Sequence, residues 1–295
     1  MKVTEFSEAT KKDHIPAPWE DLLGAEDFVS YMPSYRGGAY LEQFSEQHTE
    51  HEIIGSMTSY FYAPADTETP HPLLVFLHGA TNALAGKICV MHSGCELYAS
   101  PSYQEAMGGA YLLVPLANEK TDENGNLTDS WSPDYVPAIR DLILDVKKKY
   151  AVSKVIVLGG SSGGFMSWLV TEQCSDIVNA CVPISSGYIP CVETLHQLDK
   201  QGIRMLPAHG RHDELCPFAE AIGEKEAVLE SLTNALCYFP EWVRNGDHGV
   251  ASLNFGFEMG QHCLINQIQA NLIFDDGTPY DARLPQGITG WIRDL

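Results

Sequence analysis

One stretch of the chain, VIVLGGSSGGFMSW at residues 155–168, constrains the fold more than any other. An apolar, strand-like run meets five consecutive small residues, Gly160-Ser161-Ser162-Gly163-Gly164, and a helical pattern follows directly. Glycines are required in such a turn because side chains there would collide with neighbouring backbone. The stretch therefore predicts a buried strand that turns sharply, through a strained residue, into a helix.

The rest of the chain repeats the same alternation of strand and helix. From about residue 52 onward, short apolar runs alternate with helix-like stretches. This pattern predicts an α/β fold with a mostly parallel, doubly wound sheet flanked by helices. We expect helices at about 134–150, directly after Ser162, at about 217–232 and at about 260–273. The predicted strands are the run near 57–63 and the runs 73–77, 111–115, 154–158, 180–184, 203–207 and 235–239.

The domain organisation follows from where this alternation begins and ends. No internal repeat and no Gly/Ser-rich linker divides the chain. We predict one catalytic domain over residues 51–273, an N-terminal extension over 1–50 that packs on the core, and a C-terminal tail over 274–295.

Two internal segments, about 84–107 and 119–133, do not fit the repeating unit. Loops on a rigid scaffold commonly carry substrate selection, so we expect these insertions to form a cap over the site. Trp131 lies in the second segment. It forms either an aromatic wall of the substrate pocket or part of the ordinary packing.

Charge and composition limit the partners. The chain has 39 acidic and 18 basic residues and a formal net charge of −21. This charge repels phosphate backbones and anionic lipid, so neither nucleic acid nor a membrane is expected as a partner. It favours solubility, or alternatively steers a cationic substrate.

The N-terminal sequence and the cysteines bear on the compartment. The first 23 residues lack the apolar stretch of a signal peptide, and no run of about 18 apolar residues follows, which predicts a cytoplasmic protein. The eight cysteines include no CxxC pair and are expected to be reduced, mostly structural thiols. No metal and no cofactor is expected, and the formation of homo-oligomers stays open.

The glycine-rich turn carries the candidate nucleophile. Gly160 to Gly164 match G-x-S-x-G with Ser162 at the centre, between a strand and a helix as this motif requires. The segment contains neither G-x-G-x-x-G nor G-K-[ST], which excludes dinucleotide and P-loop sites on residue identity. Ser162 is the predicted nucleophile.

A serine hydroxyl needs a base to take its proton and a carboxylate to orient that base. His248 follows the predicted last strand in a glycine-flanked turn, whereas His262 falls within a helical pattern, so His248 is the predicted base. Asp213 lies just beyond a predicted strand and is the predicted acid, with Glu214 and Asp247 as alternatives. The order Ser, Asp, His is that of the α/β-hydrolase arrangement.

Acyl transfer also needs backbone N–H groups that stabilise an oxyanion. Gly163, directly after the predicted nucleophile, and Ala80, in the loop after the strand 73–77, are the predicted donors. His78 in the same loop is predicted to stabilise the turn rather than to act in catalysis.

Four segments resemble known motifs of one superfamily. LLVFLHGATN, VIVLGGSSGGFMSW, HGRHDELCP and NGDHG are similar to the oxyanion, elbow, acid and histidine segments of α/β-hydrolases. The resemblance covers about residues 55–250 and is strongest to the polyhydroxybutyrate-depolymerase-like and feruloyl-esterase-like branches. In that group HG-x-x-D followed by a proline marks the triad acid, which supports Asp213 with Pro217, although Cys216 stands where valine is usual. The resemblance implies the α/β-hydrolase fold and serine-hydrolase chemistry.

The leading functional prediction is a carboxylesterase that cleaves a small ester through an acyl-enzyme, with hydroxycinnamoyl-like aromatic esters among the candidates. A peptidase or amidase of the prolyl-oligopeptidase type is the alternative, because the same triad cleaves amides. A non-catalytic ligand-binding protein on the same fold is a third hypothesis. The lipase-type HGGG loop is absent, which argues against an interfacial lipase.

Overall fold

The computed structural model describes residues 19–23, 29–31, 37–92, 94–254 and 257–295. The strands in these ranges are β1 (Val29–Ser30), β2 (Ser45–His51), β3 (Gly55–Tyr62), β4 (His71–Leu77), β5 (Tyr111–Pro115), β6 (Lys120–Thr121), β7 (Leu127–Asp129), β8 (Val152–Gly160), β9 (Ala180–Ile184), β10 (Arg204–Met205), β11 (Val250–Ala251), β12 (Leu253–Asn254) and β13 (Phe257–Glu258). The α-helices are α1 (Ile88–His92), α2 (Pro101–Met107), α3 (Tyr135–Lys149), α4 (Ser162–Gln173), α5 (Val192–Lys200), α6 (Phe218–Ala221), α7 (Glu226–Ser231), α8 (Ile265–Gln269) and α9 (Gly287–Arg293).

A seven-stranded sheet in the order β2-β3-β5-β4-β8-β9-β10 forms the centre of the molecule. Strands β5, β4, β8, β9 and β10 run parallel to one another. Strands β3 and β2 form an antiparallel edge beside β5. Beyond β10 the sheet continues through single parallel bridges from Met205 to Ala235 and from Ala208 to Tyr238. The predicted mostly parallel α/β sheet is confirmed. Residues 235–239 pair at its edge through backbone hydrogen bonds, among them Leu236 N–H to the Met205 carbonyl at 2.8 Å and Tyr238 N–H to the Pro207 carbonyl at 2.9 Å.

Two elements differ from the sequence-based expectation. Strand β2 begins at Ser45, inside the segment predicted as an extension, and its residues alternate between exposed and half-buried without a buried face. Such a polar edge strand gives little periodic apolar signal. The helix predicted at about 260–273 is the short α8, because residues 261 and 262 form a turn before it.

The core lies on both faces of the sheet because successive side chains of a strand point in opposite directions. Leu73, Val75 and Leu77 of β4 pack with α3 and α4 on one face. Leu74 and Phe76 pack on the other face, with helices from the end of the chain and from the segment after β4.

That second face depends on segments outside the alternating unit. Ile288 of α9 is fully buried and Trp291 is 8% exposed, both within the same cluster as β4. Tyr98, in the segment predicted to form a cap, is fully buried there too, and Tyr103 of α2 donates a hydrogen bond to the Gln269 carbonyl at 2.5 Å. Residues 84–107 therefore contribute to the core.

The cysteines and the lengths of the helices bear on two sequence-based expectations. All eight cysteines are free thiols, and six of them are buried. Within the described residues, none of the helices combines the length and the apolar character that crossing a membrane requires.

We predict that Ile288→Ala lowers the free energy of unfolding by about 2–5 kcal/mol, because it leaves a cavity between α9 and the sheet. Ile53→Ala is the matched control, since Ile53 is 64% exposed and its truncation should change stability by less than about 0.5 kcal/mol. Urea denaturation of both variants measures the difference. Equal stabilities would contradict the packing of the C-terminal segment on the core.

Candidate active site

The ends of β4 and β8 form the natural place for a site in this sheet. The chain passes from β4 to β5 on one side and then returns to β8 on the other, so the strand order reverses between β4 and β8. Ligands of open α/β sheets bind at the carboxyl ends of strands at such a switch point. His78 follows β4 here, and Ser161 follows β8.

Ser161 has the strained backbone conformation that was predicted for Ser162. Its φ is 58° and its ψ is −121°, in a region that non-glycine residues adopt only under strong constraint. Ser162 is already the first residue of α4, and its Oγ is buried without a hydrogen-bond partner among the described residues. The prediction of the strained serine was therefore wrong by one position.

The glycines around the turn support the same correction. A Cβ at Gly163 would overlap the carbonyl oxygen of Leu77, and one at Gly159 would overlap the same atom. A Cβ at Gly160 would meet only the side chain of Ile265, at 3.3 Å. G-x-S-x-G therefore also matches with Ser161 at the centre, and in this match neighbouring backbone excludes a side chain at both glycines. The sequence alone fits either serine, because Gly159 to Gly164 contain two overlapping copies of the motif.

This shift also moves the predicted oxyanion donor. The residue directly after Ser161 is Ser162, so Ser162 rather than Gly163 offers the first amide of α4. The N–H groups in the first turn of a helix have no partner within it and favour negative charge nearby. We therefore replace Gly163 with Ser162 as the candidate donor.

Ala80 lies opposite, in the loop after β4. A Cβ built at the adjacent Gly79 would lie 3.9 Å from the Ser161 Cβ, so this loop borders the serine. The neighbouring amides of Thr81 and Ala83 donate to the Glu119 carboxylate, each at 2.9 Å. In the described part of the chain, the Ala80 N–H has no protein acceptor.

His78 fixes the start of that loop. Its Nε2 accepts the Ala117 N–H at 3.0 Å, so its Nδ1 carries the proton and donates to the Gly79 carbonyl at 2.7 Å. Burial lowers the pKa of His78 to about 4, and the hydrogen bond to Gly79 offsets only part of this effect. The predicted turn-stabilising role of His78 is confirmed.

Trp131 belongs to the packing rather than to a pocket wall. It is 7% exposed, its Nε1 donates to the His78 carbonyl at 2.9 Å, and its ring lies 4.7 Å from that of His78. Of the two interpretations of this residue, the structure agrees with packing. The 119–133 segment thus braces the loop that carries Ala80, through Trp131 and Glu119.

The histidine beside Asp213 is His262. The Nδ1 of His262 lies 2.8 Å from Oδ1 and 2.9 Å from Oδ2 of Asp213, and both residues are 5% exposed. His248 lies elsewhere on the surface, with its Nε2 3.0 Å from Asp276 and its ring stacked on Phe274. The prediction that His248 pairs with Asp213 is therefore wrong.

The reason lies in the segment between the two histidines. After Tyr238 the chain makes an excursion through β11, and β11 pairs in parallel with β1 near the N-terminus. At Gln261 the chain lies against Gly210, in the segment that carries Asp213. His248 lies within this excursion. Its position soon after the last pairing segment therefore led to the wrong prediction of the histidine that pairs with Asp213.

Backbone contacts place His262 at the same edge of the sheet as Ser161. The Ser161 N–H donates to the Ile184 carbonyl at 2.9 Å, and the hydroxyl of the next residue, Ser185, donates to the His262 carbonyl at 2.8 Å. Gly160, directly before Ser161, faces Ile265 just beyond the histidine. Two separate contacts thus join the serine turn to the histidine loop.

Asp213 is held as a carboxylate. Burial by itself would raise its pKa, but hydrogen bonding and charge interaction with His262, together with the Cys216 amide at 2.7 Å, hold the pKa below its usual value. His209 Nε2 lies 3.3 Å from Asp213 and donates to the Cys216 carbonyl at 2.7 Å, while burial lowers the pKa of His209. Neutral His209 and anionic Asp213 therefore coexist.

Cys216 also brings a thiol close to this pair. Ligand atoms of Asp213, Cys216 and His262 all lie within 4.8 Å of one another, a spacing compatible with a metal ion. However, Nδ1 of His262 and the Asp213 carboxylate already share a hydrogen bond, as an orienting acid and its base do. Burial raises the pKa of the Cys216 thiol to about 11, so this thiol stays protonated beside the pair at physiological pH.

Comparison with solved structures identifies the fold. A thermostable esterase has a TM-score of 0.54 at 17% identity over 77% of this chain, which spans 60% of that structure's length. A mutant of the feruloyl esterase module from Clostridium thermocellum, solved with sinapinate, has a TM-score of 0.54 at 15% identity over 90% of this chain and 96% of that one. No protein-family model and no curated protein matches the chain. The chain has the α/β-hydrolase fold, as the sequence motifs predict.

We predict that His78 stays neutral at physiological pH, because its pKa is lowered from 6.5 to about 4. Protonation then favours the unfolded chain, so the contribution of His78 to stability decreases as the pH falls from 6.5 toward 4. Nitrogen-15 spectra of the imidazole rings, assigned with His78→Gln, should show no titration of His78 between about pH 5 and 8. A titration midpoint near 6.5 would contradict the buried, neutral ring.

Proposed function

We propose that the protein is a serine carboxylesterase in which Ser161 is the nucleophile, His262 the general base and Asp213 the acid that orients the base. The observation that carries this proposal is the strained Ser161 at the end of β8, with the buried His262–Asp213 pair at the same sheet edge. Non-glycine residues in this conformation concentrate at functional sites, where the surrounding structure maintains the strain.

The pairing of His262 determines the direction of proton transfer. Its Nδ1–H donates to the Asp213 carboxylate, so Nε2 carries the lone pair that accepts the Ser161 proton. As Oγ bonds to the ester carbonyl carbon, the carbonyl π electrons move to oxygen. The amides of Ala80 and Ser162 donate to this oxyanion.

The remaining steps use the same groups, with His262 first as acid and then as base. When the tetrahedral intermediate collapses, the bond to the alcohol oxygen breaks, and this oxygen takes the proton from His262 Nε2. Water then attacks the acyl-enzyme while His262 again acts as base, and the acid product leaves as Ser161 regains its proton. The Asp213 carboxylate stabilises the imidazolium in both halves without itself being protonated.

The substrate class rests on the solved structures that share the fold. One of them is a thermostable esterase, and another is a feruloyl esterase module solved with sinapinate, a hydroxycinnamate. We therefore place small esters, with hydroxycinnamoyl esters first, ahead of amides. An assay that compares hydroxycinnamoyl esters, p-nitrophenyl acetate and short peptide amides tests this order. Turnover of the amides alone would favour the peptidase alternative.

The two adjacent serines give a sharp test of the nucleophile. We predict that Ser161→Ala abolishes labelling by a fluorophosphonate probe and lowers kcat by about 10⁴- to 10⁶-fold. Ser162→Ala should keep both, because only the amide of Ser162 takes part and its hydroxyl lacks a partner. Intact-mass spectrometry and ester hydrolysis measure the two effects. Loss of the adduct in Ser162→Ala alone would return the nucleophile to Ser162.

The two histidines form a second matched pair. We predict that His262→Ala lowers kcat by about 10⁴- to 10⁶-fold, because Ser161 then has no base. His248→Ala should leave kcat near the wild-type value, because His248 contacts Asp276 and Phe274 instead. Steady-state hydrolysis of one ester by both variants decides between them, and a severe loss in His248→Ala alone would contradict this assignment.

A further inference from the structure

A second carboxylate, Glu214, contacts the backbone that carries His262. Its Oε2 accepts the His262 N–H at 2.8 Å, and its Oε1 accepts the Gln261 N–H at 3.1 Å. Asp213, the preceding residue, binds the ring of the same histidine. Two consecutive acidic residues thus contact the main chain and the side chain of His262.

The N-terminal segment contributes the third donor. The Trp19 indole Nε1–H donates to Glu214 Oε1 at 3.1 Å across 195 residues of sequence. Trp19 is 6% exposed and packs on Val250 and against the Trp242 ring, at 5.7 Å. It therefore limits the movement of the Glu214 carboxylate.

The Gln261 side chain anchors the same loop from its other face. Its Oε1 accepts the Val243 N–H at 2.8 Å, and its Nε2 donates to the carbonyls of Val243 and Ala251, at 3.0 and 2.7 Å. Ala251 belongs to β11, which pairs with β1 of the N-terminal segment. Two of the described parts of that segment, at Trp19 and at β1, thus support the histidine loop.

We propose, on the basis of the function proposed above, that Glu214 is a positioning residue for His262 and that Trp19 holds Glu214 in place. Three N–H donors converge on this carboxylate, and none of them reaches the reacting atoms. By fixing the main chain while Asp213 fixes the ring, Glu214 sets the position of Nε2 relative to Ser161. A displacement of about 1 Å in a catalytic group can cost about 100-fold in rate.

Glu214→Gln is the direct test, because it keeps the shape of the side chain but turns an NH₂ group toward donors. We expect kcat for the best ester of the screen to fall about 10- to 100-fold while KM stays near the wild-type value. The downfield proton resonance of the hydrogen bond between His262 and Asp213 should shift or broaden. A residue that only supports folding would lower the melting temperature without these two effects in the folded enzyme.

Glu226→Gln is the matched control. Glu226 is a partly buried glutamate that pairs with Arg211, and among the described residues it has no hydrogen bond or ion pair with Gln261 or His262. Its variant should keep kcat and the proton resonance. If it loses both to the same extent as Glu214→Gln, the effect is a general one and the proposal fails.

Trp19→Phe keeps a ring and removes only the indole donor, so it provides a test even if Glu214→Gln does not fold. We expect a smaller fall in kcat and a change in the same proton resonance, and wild-type values of both would overturn the role of Trp19. Wild-type kcat in folded Glu214→Gln would overturn the role of Glu214. Wild-type protein that neither hydrolyses esters nor reacts with a fluorophosphonate would contradict the proposed function instead.

Discussion

The close approach of the turn after β8 to the end of β4 is the constraint on which the rest of the site depends. Gly159 and Gly163 lie so near the Leu77 carbonyl that neither position has room for a Cβ. This contact holds Ser161 between the two glycines with a positive φ, a backbone conformation that residues other than glycine rarely adopt. It also brings the first turn of α4 next to the loop that carries Ala80, so one packing interaction places the proposed nucleophile and the proposed oxyanion donors.

Two partly buried glutamates bind the backbone of the loops around this contact. Glu119 accepts two amides from the loop after β4, and Glu214 accepts two amides from the histidine loop. Burial raises the pKa of each of these carboxyls, although their hydrogen bonds oppose the rise. A carboxylate accepts several N–H donors at once, which makes it suited to fixing exposed backbone. Preorganised loops of this kind lower the cost of reaching a charged transition state.

The sequence was sufficient for the fold and pointed to one member of the buried histidine–aspartate pair. Apolar runs and the strand–turn–helix stretch predicted the parallel sheet, and HG-x-x-D followed by a proline pointed to Asp213, the residue that the structure pairs with a histidine. It did not separate Ser161 from Ser162, because overlapping glycines fit both and only the backbone dihedrals of the folded turn distinguish them.

The histidine that pairs with Asp213 was missed for a different physical reason. Between Pro240 and Gln261 the chain passes through β11, which pairs with the N-terminal β1, and no local pattern reports such a long-range contact. The contact of Trp19 with Glu214 was out of reach for the same reason, since local periodicity carries no information on groups 195 residues apart. Helical spacing around His262 argued against it, whereas the folded chain places it in a turn before α8.

The most direct test of this account is a crystal structure of the protein after reaction with a small phosphonate ester. We expect phosphorus bonded to Ser161 Oγ, the phosphonyl oxygen within hydrogen-bond distance of the Ala80 and Ser162 amides, and His262 Nε2 beside the adduct. Phosphorus on Ser162, or a histidine other than His262 next to the adduct, would contradict it.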